Sequence, residues 1–120
     1  MNTPTTPTAP PLSKIRAAGN LVFLSGELPF NADGSVPEGI EAQTALTIDR
    51  IEATLKSQGL DLSDVISITA YLIDAADFAA FNQVYAQRFQ QPYPARTTVR
   101  ADLMRPGPRL ELTAVALARA

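Results

Sequence analysis

The sequence predicts an α+β fold in the order β-β-α-β-α-β-β, with two helices on one face of a mixed sheet. Three observations carry that expectation. Residues 39–59 and 77–90 space their apolar side chains three and four apart, which is the period of a helix. Residues 64–74, DVISITAYLID, alternate with period two, as do two stretches that follow Pro94. The turn dipeptide Gly19-Asn20 separates two short β-type runs near the beginning of the chain.

Residues 1–12 are rich in Pro and Thr, carry no charge and have little to bury, so they read as a flexible or extended arm. The fold is expected to begin at Ser13, giving one domain over residues 13–120. KIRAA and LVFLSGEL, on either side of Gly19-Asn20, form an opening hairpin. The NADG stretch that follows is a loop. Ile40, Ala45, Ile48, Ile51 and Leu55 mark the buried stripe of the first helix, and Gly59 is its natural C-terminal stop. In the third strand the alternation assigns Ile66, Ile68, Ala70 and Leu72 to one face and Val65, Ser67, Thr69 and Tyr71 to the other. The second helix carries Phe78, Phe81, Val84, Tyr85 and Phe89 on one stripe. ARTTVRADL and RLELTAVALA, joined by MRPGP, complete the sheet.

Two helices cannot cover both faces of such a sheet. The face with Ser67, Thr69 and Tyr71 is semi-polar and β-branched, a surface suited to burial against another subunit. The expectation is a homo-oligomer whose sheets face one another, with sites in the clefts between chains.

Composition shortens the list of possible chemistries. With no cysteine and no histidine, the chain has no disulfide, no thiolate nucleophile and neither the commonest general base nor the commonest metal ligand. No P-loop, dinucleotide fingerprint or metal motif is present, so no cofactor is expected. A net charge of −2 argues against a dedicated nucleic-acid binder. No apolar run approaches the ~20 residues of a membrane span, and a soluble cytoplasmic protein is expected. After Phe78, however, six arginines face only two carboxylates after Asp77, Asp102 and Glu111, so the C-terminal part can hold an anion.

Two of those charged residues interrupt β patterns. Arg96 stands at the start of a strand with its fork aimed to one side, on the same face as Thr98 and Arg100, a geometry suited to bidentate capture of a carboxylate. Glu111 lies opposite the apolar face formed by Leu110, Leu112, Ala114 and Ala116. A structural ion pair of Arg96 with Glu111, within or between chains, explains the two as well as a catalytic role does. Gly26, after Ser25, offers a backbone N–H that a ligand can approach closely, although a bulge or turn is the favoured explanation on local grounds. Asn82 and Tyr85 share a helix face.

Taken in order, SGELP, the helix ending SQGLDLSDV, FAAFNQVYAQRF, YPARTTV and RLELTAVA resemble the RidA/YjgF/L-PSP family of reactive intermediate deaminases over residues 13–118. The resemblance implies a chorismate-mutase-like fold, a homotrimer with the sheets inside, and three clefts between subunits. It assigns substrate carboxylate binding to Arg96 and positioning of the attacking water to Glu111. It lines the pocket with Gly26, Asn82 and Thr98, the last often cysteine in relatives. A tyrosine of the N-terminal segment that closes over the pocket corresponds here to Leu12, which supplies apolar contact but no hydroxyl. The implied reaction converts enamine or imine acids, such as 2-aminoacrylate released by pyridoxal-phosphate enzymes, to a 2-keto acid and ammonia. The competing expectation is a non-catalytic trimer that binds small carboxylates or regulates other proteins. A ribonuclease reading ranks last.

Overall fold

The computed structural model describes residues 9–120, so the first eight residues of the expected arm lie outside the described residues. The elements run β1 (Ile15–Ala18), β2 (Leu21–Leu24), α1 (Ile40–Lys56), β3 (Val65–Leu72), α2 (Phe78–Arg88), β4 (Ala95–Arg100) and β5 (Leu110–Leu117). One mixed sheet has the order β1-β2-β5-β3-β4. β5 slots between β2 and β3 and runs antiparallel to both, while the β3-α2-β4 crossover makes β4 parallel to β3 and leaves it at the edge. Both helices pack on one face of this sheet, as expected.

The core lies between that face and the helices. Ile48, Ile51 and Leu55 from α1 and Phe81 from α2 meet Ile68, Ala70, Leu110, Leu112 and Ala114 from the two central strands, all essentially without solvent contact. Leu55→Ala or Phe81→Ala at such positions costs about 2–5 kcal/mol. Gln43 is a buried polar strut: its Nε2 donates to Pro37 O at 2.9 Å and its Oε1 accepts from Arg109 N at 2.7 Å, tying α1 to the start of β5.

Helix ends follow local chemistry. Gly59 has φ +72°, its N–H bonds Lys56 O, and Leu60 N–H reaches back to Leu55 O at 3.0 Å. That double closure needs a left-handed residue, which glycine adopts without strain. The N-terminus of α2 follows a short 3₁₀ turn (Ala75–Asp77) in which Asp74 accepts from Ala76 N, so α2 starts one residue later than the apolar spacing implies.

Three expectations are corrected. Alternation places Ile66 on the apolar face and Val65 on the other, but Val65 is buried and Ile66 is 42% exposed. A register shift between Val65 and Ser67 against β5 inserts one extra residue, so strict alternation begins only after the bulge. The second strand ends at Leu24 rather than continuing through Leu28, with Glu27 forming an isolated bridge to Leu112. Phe78 belongs to the helical stripe in spacing but is 45% exposed at the start of α2.

The opposite face of the sheet carries Phe23, Thr69, Tyr71, Val99, Glu111, Thr113, Val115 and Leu117, with Phe23, Val99 and Leu117 about two-fifths exposed. No helix of the described residues is long and apolar enough to cross a membrane.

Candidate functional site

Arg96 is the second residue of β4 and pairs with Ile68, which directs its side chain to the helix face. There it meets the outer stripe of α2. Its Cζ lies 5.8 Å from the Phe78 ring centre, 5.2 Å from Phe81 and 4.7 Å from Tyr85. Its Nη2 donates to Asn82 Oδ1 at 2.8 Å. Residues 78, 81, 82 and 85 are spaced i, i+3, i+4, i+7, so one helical stripe supplies both an aromatic platform and the single amide that sets the fork's rotation. Cation–π contacts of this kind contribute about 0.5–2 kcal/mol each.

Among the described residues the half-buried arginines Arg50, Arg88 and Arg109 all hold carboxylates, through Glu27 at 2.7 Å, Asp49 at 2.7 Å and Asp77 at 2.8 Å. Arg96 is half-buried and holds none. A desolvated guanidinium without a counter-charge is costly unless an anion arrives.

Beside Arg96 lies a hollow of about 360 Å³, walled by Asn82, Tyr85, Ala86, Tyr93, Pro94 and Arg96. Two residues along β4, Thr98 pairs with buried Ala70 on the same face. It lines a second hollow with Leu72, Ala75, Phe78, Val99 and Arg100. The Tyr85 hydroxyl is buried without a hydrogen-bond partner; burial raises its pKa, and the Arg96 charge pulls it down. A larger cavity of about 490 Å³ lies near the C-terminal ends of both helices. Its principal cations are already engaged, Arg88 by Asp49 and Glu52, and Lys56 by Glu52 at 3.8 Å.

Glu111 is elsewhere. On β5 it pairs with Tyr71 of β3 and faces away from the helices, so it and Arg96 lie on opposite faces of the sheet and form no ion pair within the chain. Its neighbour is Gly26. A Cβ on Gly26 would overlap the Glu111 carboxylate and lie 3.0 Å from its Cδ and 3.3 Å from its Cγ. Glycine at this position therefore makes room for the Glu111 side chain, a reason that spacing alone does not reveal. Ser25 and Glu27 on either side are pinned, Ser25 N to Lys14 O at 3.0 Å and Glu27 N to Leu112 O at 2.8 Å, and neither bond uses the N–H of Gly26. Burial pushes the Glu111 carboxyl above its ordinary value of 4.5, with the negative charge of Glu27 adding to the rise.

Leu12 is exposed and sits on the Gly26 side, because the carbonyl of the next residue, Ser13, accepts from Ser25 Oγ at 2.6 Å. The expected site residues thus fall into two groups. Arg96, Asn82 and Thr98 form one at the β4-α2 edge; Glu111, Gly26 and Leu12 form the other around the end of β2. The sequence reading named the stripe of Phe78, Phe81 and Tyr85 but not its contact with Arg96, and the walls Ala86 and Tyr93 escaped it. Among the described residues no group of three or more acidic side chains converges as a metal site.

Comparison with known proteins sets this geometry in context. The sequence model of the family described as Endoribonuclease L-PSP matches residues 3–118. A RutC family protein of Pyrococcus horikoshii is 37% identical, over 88% of this chain and 86% of its own length. The chloroplastic Reactive Intermediate Deaminase A of Arabidopsis thaliana is 36% identical over 88% of this chain and 58% of that protein. Among solved structures, Escherichia coli TdcF with bound serine superposes with a TM-score of 0.84 at 28% identity, covering 93% of this chain and 91% of that one.

Proposed function

The chain belongs to the Endoribonuclease L-PSP family, and on that premise we propose that it hydrolyses reactive 2-imino acids, such as the imine of 2-aminoacrylate, to 2-keto acids and ammonia. The similarity to a reactive intermediate deaminase supports a deaminase-type hydrolase. The observation that carries the reading to a carboxylate substrate is Arg96, the half-buried guanidinium held by Asn82 and three rings with no acidic partner among the described residues.

In this reading a second copy of the chain supplies the other half of the site. The exposed apolar side chains of the open sheet face support burial against further copies, in the homotrimer that the family resemblance implies. Arg96 of one chain binds the substrate carboxylate, with Asn82 and Thr98 beside it. Gly26 and Glu111 of the next chain approach the imine carbon, with Leu12 over the opening. Glu111 takes a proton from water as the water oxygen bonds to the imine carbon, and the C=N electron pair moves to nitrogen, which takes up that same proton from Glu111. The resulting carbinolamine loses ammonia as its hydroxyl becomes the keto oxygen, and the proton balance closes on Glu111. The imine is labile in water, so orientation and one directed water are sufficient chemistry for a site with neither His nor Cys. The site is a cytoplasmic one in this reading, where pyridoxal-phosphate enzymes release such imines.

The test generates 2-aminoacrylate in situ with a pyridoxal-phosphate dehydratase, traps surviving imine with semicarbazide and follows keto-acid formation. Wild type is expected to accelerate keto-acid release and Arg96→Ala to abolish the acceleration. If folded wild type gives none, while Arg96-dependent carboxylate binding persists, the chain is a non-catalytic carboxylate-binding protein.

A further inference from the structure

We propose that the hollow beside Arg96 receives the substrate side chain, so that this chain selects 2-imino acids bearing extended apolar or aromatic side chains over those derived from alanine. The inference rests on Arg96 being the carboxylate anchor and names the substrate class of that same site.

The two ends of such a ligand are matched by neighbouring surfaces. Asn82 takes one donor of Nη2, leaving the remaining guanidinium N–H groups for a carboxylate at the rim of the hollow. The walls that continue from the rim are the Tyr85 and Tyr93 rings, the Ala86 methyl and the Pro94 ring. Pro94 stiffens the backbone on which Tyr93 stands, and Tyr85 is fixed between Phe81 at 5.6 Å and Phe89 at 4.5 Å. The hollow therefore has a pre-formed floor and no carboxylate or ammonium among its walls. Its volume, about 360 Å³, falls within the range of ~300–1,000 Å³ usual for small-molecule pockets. A methyl group leaves most of that space to water against apolar walls. A benzyl or isobutyl group displaces that water, and hydrophobic pockets discriminate by about 10-fold or more per methylene-sized difference. Ala86 is an exposed helix residue on the wall of the hollow, so a bulky substitution there is expected to reduce the space without entering the core.

Two measurements test the proposal. The first is calorimetric binding of phenylpyruvate and pyruvate, stable keto acids that differ only in the group destined for the hollow. Phenylpyruvate is expected to bind at least about 10-fold more tightly, and Ala86→Phe to remove most of that ratio while Tyr93→Ala lowers it. Equal or weaker binding of phenylpyruvate, or a ratio unchanged in folded Ala86→Phe, overturns the inference. That includes the case in which a second copy of the chain already occupies the hollow. The second is kcat/KM for imines produced by an amino-acid oxidase from phenylalanine and from alanine, with the same ratio and the same response expected. A preference for the alanine-derived imine overturns the selectivity. No acceleration of either imine, with the binding ratio intact, overturns the deaminase reading and leaves the pocket assignment standing.

Discussion

Arg96 is distinguished from the other arginines by what it lacks. Arg50, Arg88 and Arg109 are half-buried and paired, whereas Arg96 is half-buried and faces rings and an amide oxygen. Arg96→Lys keeps the charge but loses the planar fork that lies over Tyr85 and, in the proposed reading, grips two carboxylate oxygens. Carboxylate affinity in that variant is expected to fall about 10- to 100-fold in calorimetry, in line with ~1.5–3 kcal/mol for a hydrogen bond to a charged group. Gly26→Ala tests the other half. The added methyl must displace Glu111, the end of a flexible side chain, so the fold should lose less than ~1 kcal/mol while deamination drops at least tenfold. Glu111 also links to pH. Because its carboxyl pKa is raised in the fold, the folded chain takes up a proton more readily than the unfolded one. That contribution to stability is complete below the ordinary value of 4.5 and is lost as pH rises through the elevated one. Urea unfolding should therefore find Glu111→Gln more stable than wild type at pH 7, with the difference shrinking as pH falls toward 4.5. At this scale the sequence marked Arg96 and Glu111 as exceptions to their β patterns. It could not decide between ion pair and ligand, because that depends on which face each strand register presents.

At the scale of elements, periodicity located every strand and both helices, while several ends fell short of the pattern: β2 stops at Leu24, α2 at Arg88 and β4 at Arg100. Gly59 marks an end that turn chemistry did locate: its positive φ closes α1, and an added Cβ there would touch nothing within 4 Å. Gly59→Ala therefore isolates backbone strain, with an expected loss of about 1–2 kcal/mol in urea unfolding and no change in carboxylate binding. What alternation missed is the bulge at Ile66. An inserted residue leaves no mark in local composition, since VISITAYL reads as strand with or without it, and only pairing with β5 reveals the slip. The consequence reaches the site, because the register after the bulge sets Ile68 beside Arg96 and Tyr71 beside Glu111. The aromatic stripe read as core, and Phe81, Tyr85 and Phe89 are core; that its outer edge also carries Arg96 was not legible, because a stripe's spacing is the same whether it packs only under a sheet or also under an arginine.

For the molecule as a whole, the sheet separates the two charged residues that the proposed chemistry requires together. Arg96 looks toward α2 and Glu111 toward the open face with Phe23, Val99 and Leu117. In the proposed reading one chain holds two halves of different sites, and function depends on assembly. The most direct measurement is complementation: Arg96→Ala and Glu111→Gln chains, each inactive alone, are co-assembled in equal amounts and assayed for keto-acid release. Random mixing in a cyclic trimer gives roughly one site in four with both residues intact, so about a quarter of wild-type activity should return. Activity no greater than that of the separate variants, in a mixture shown to exchange subunits, would contradict a site shared between chains.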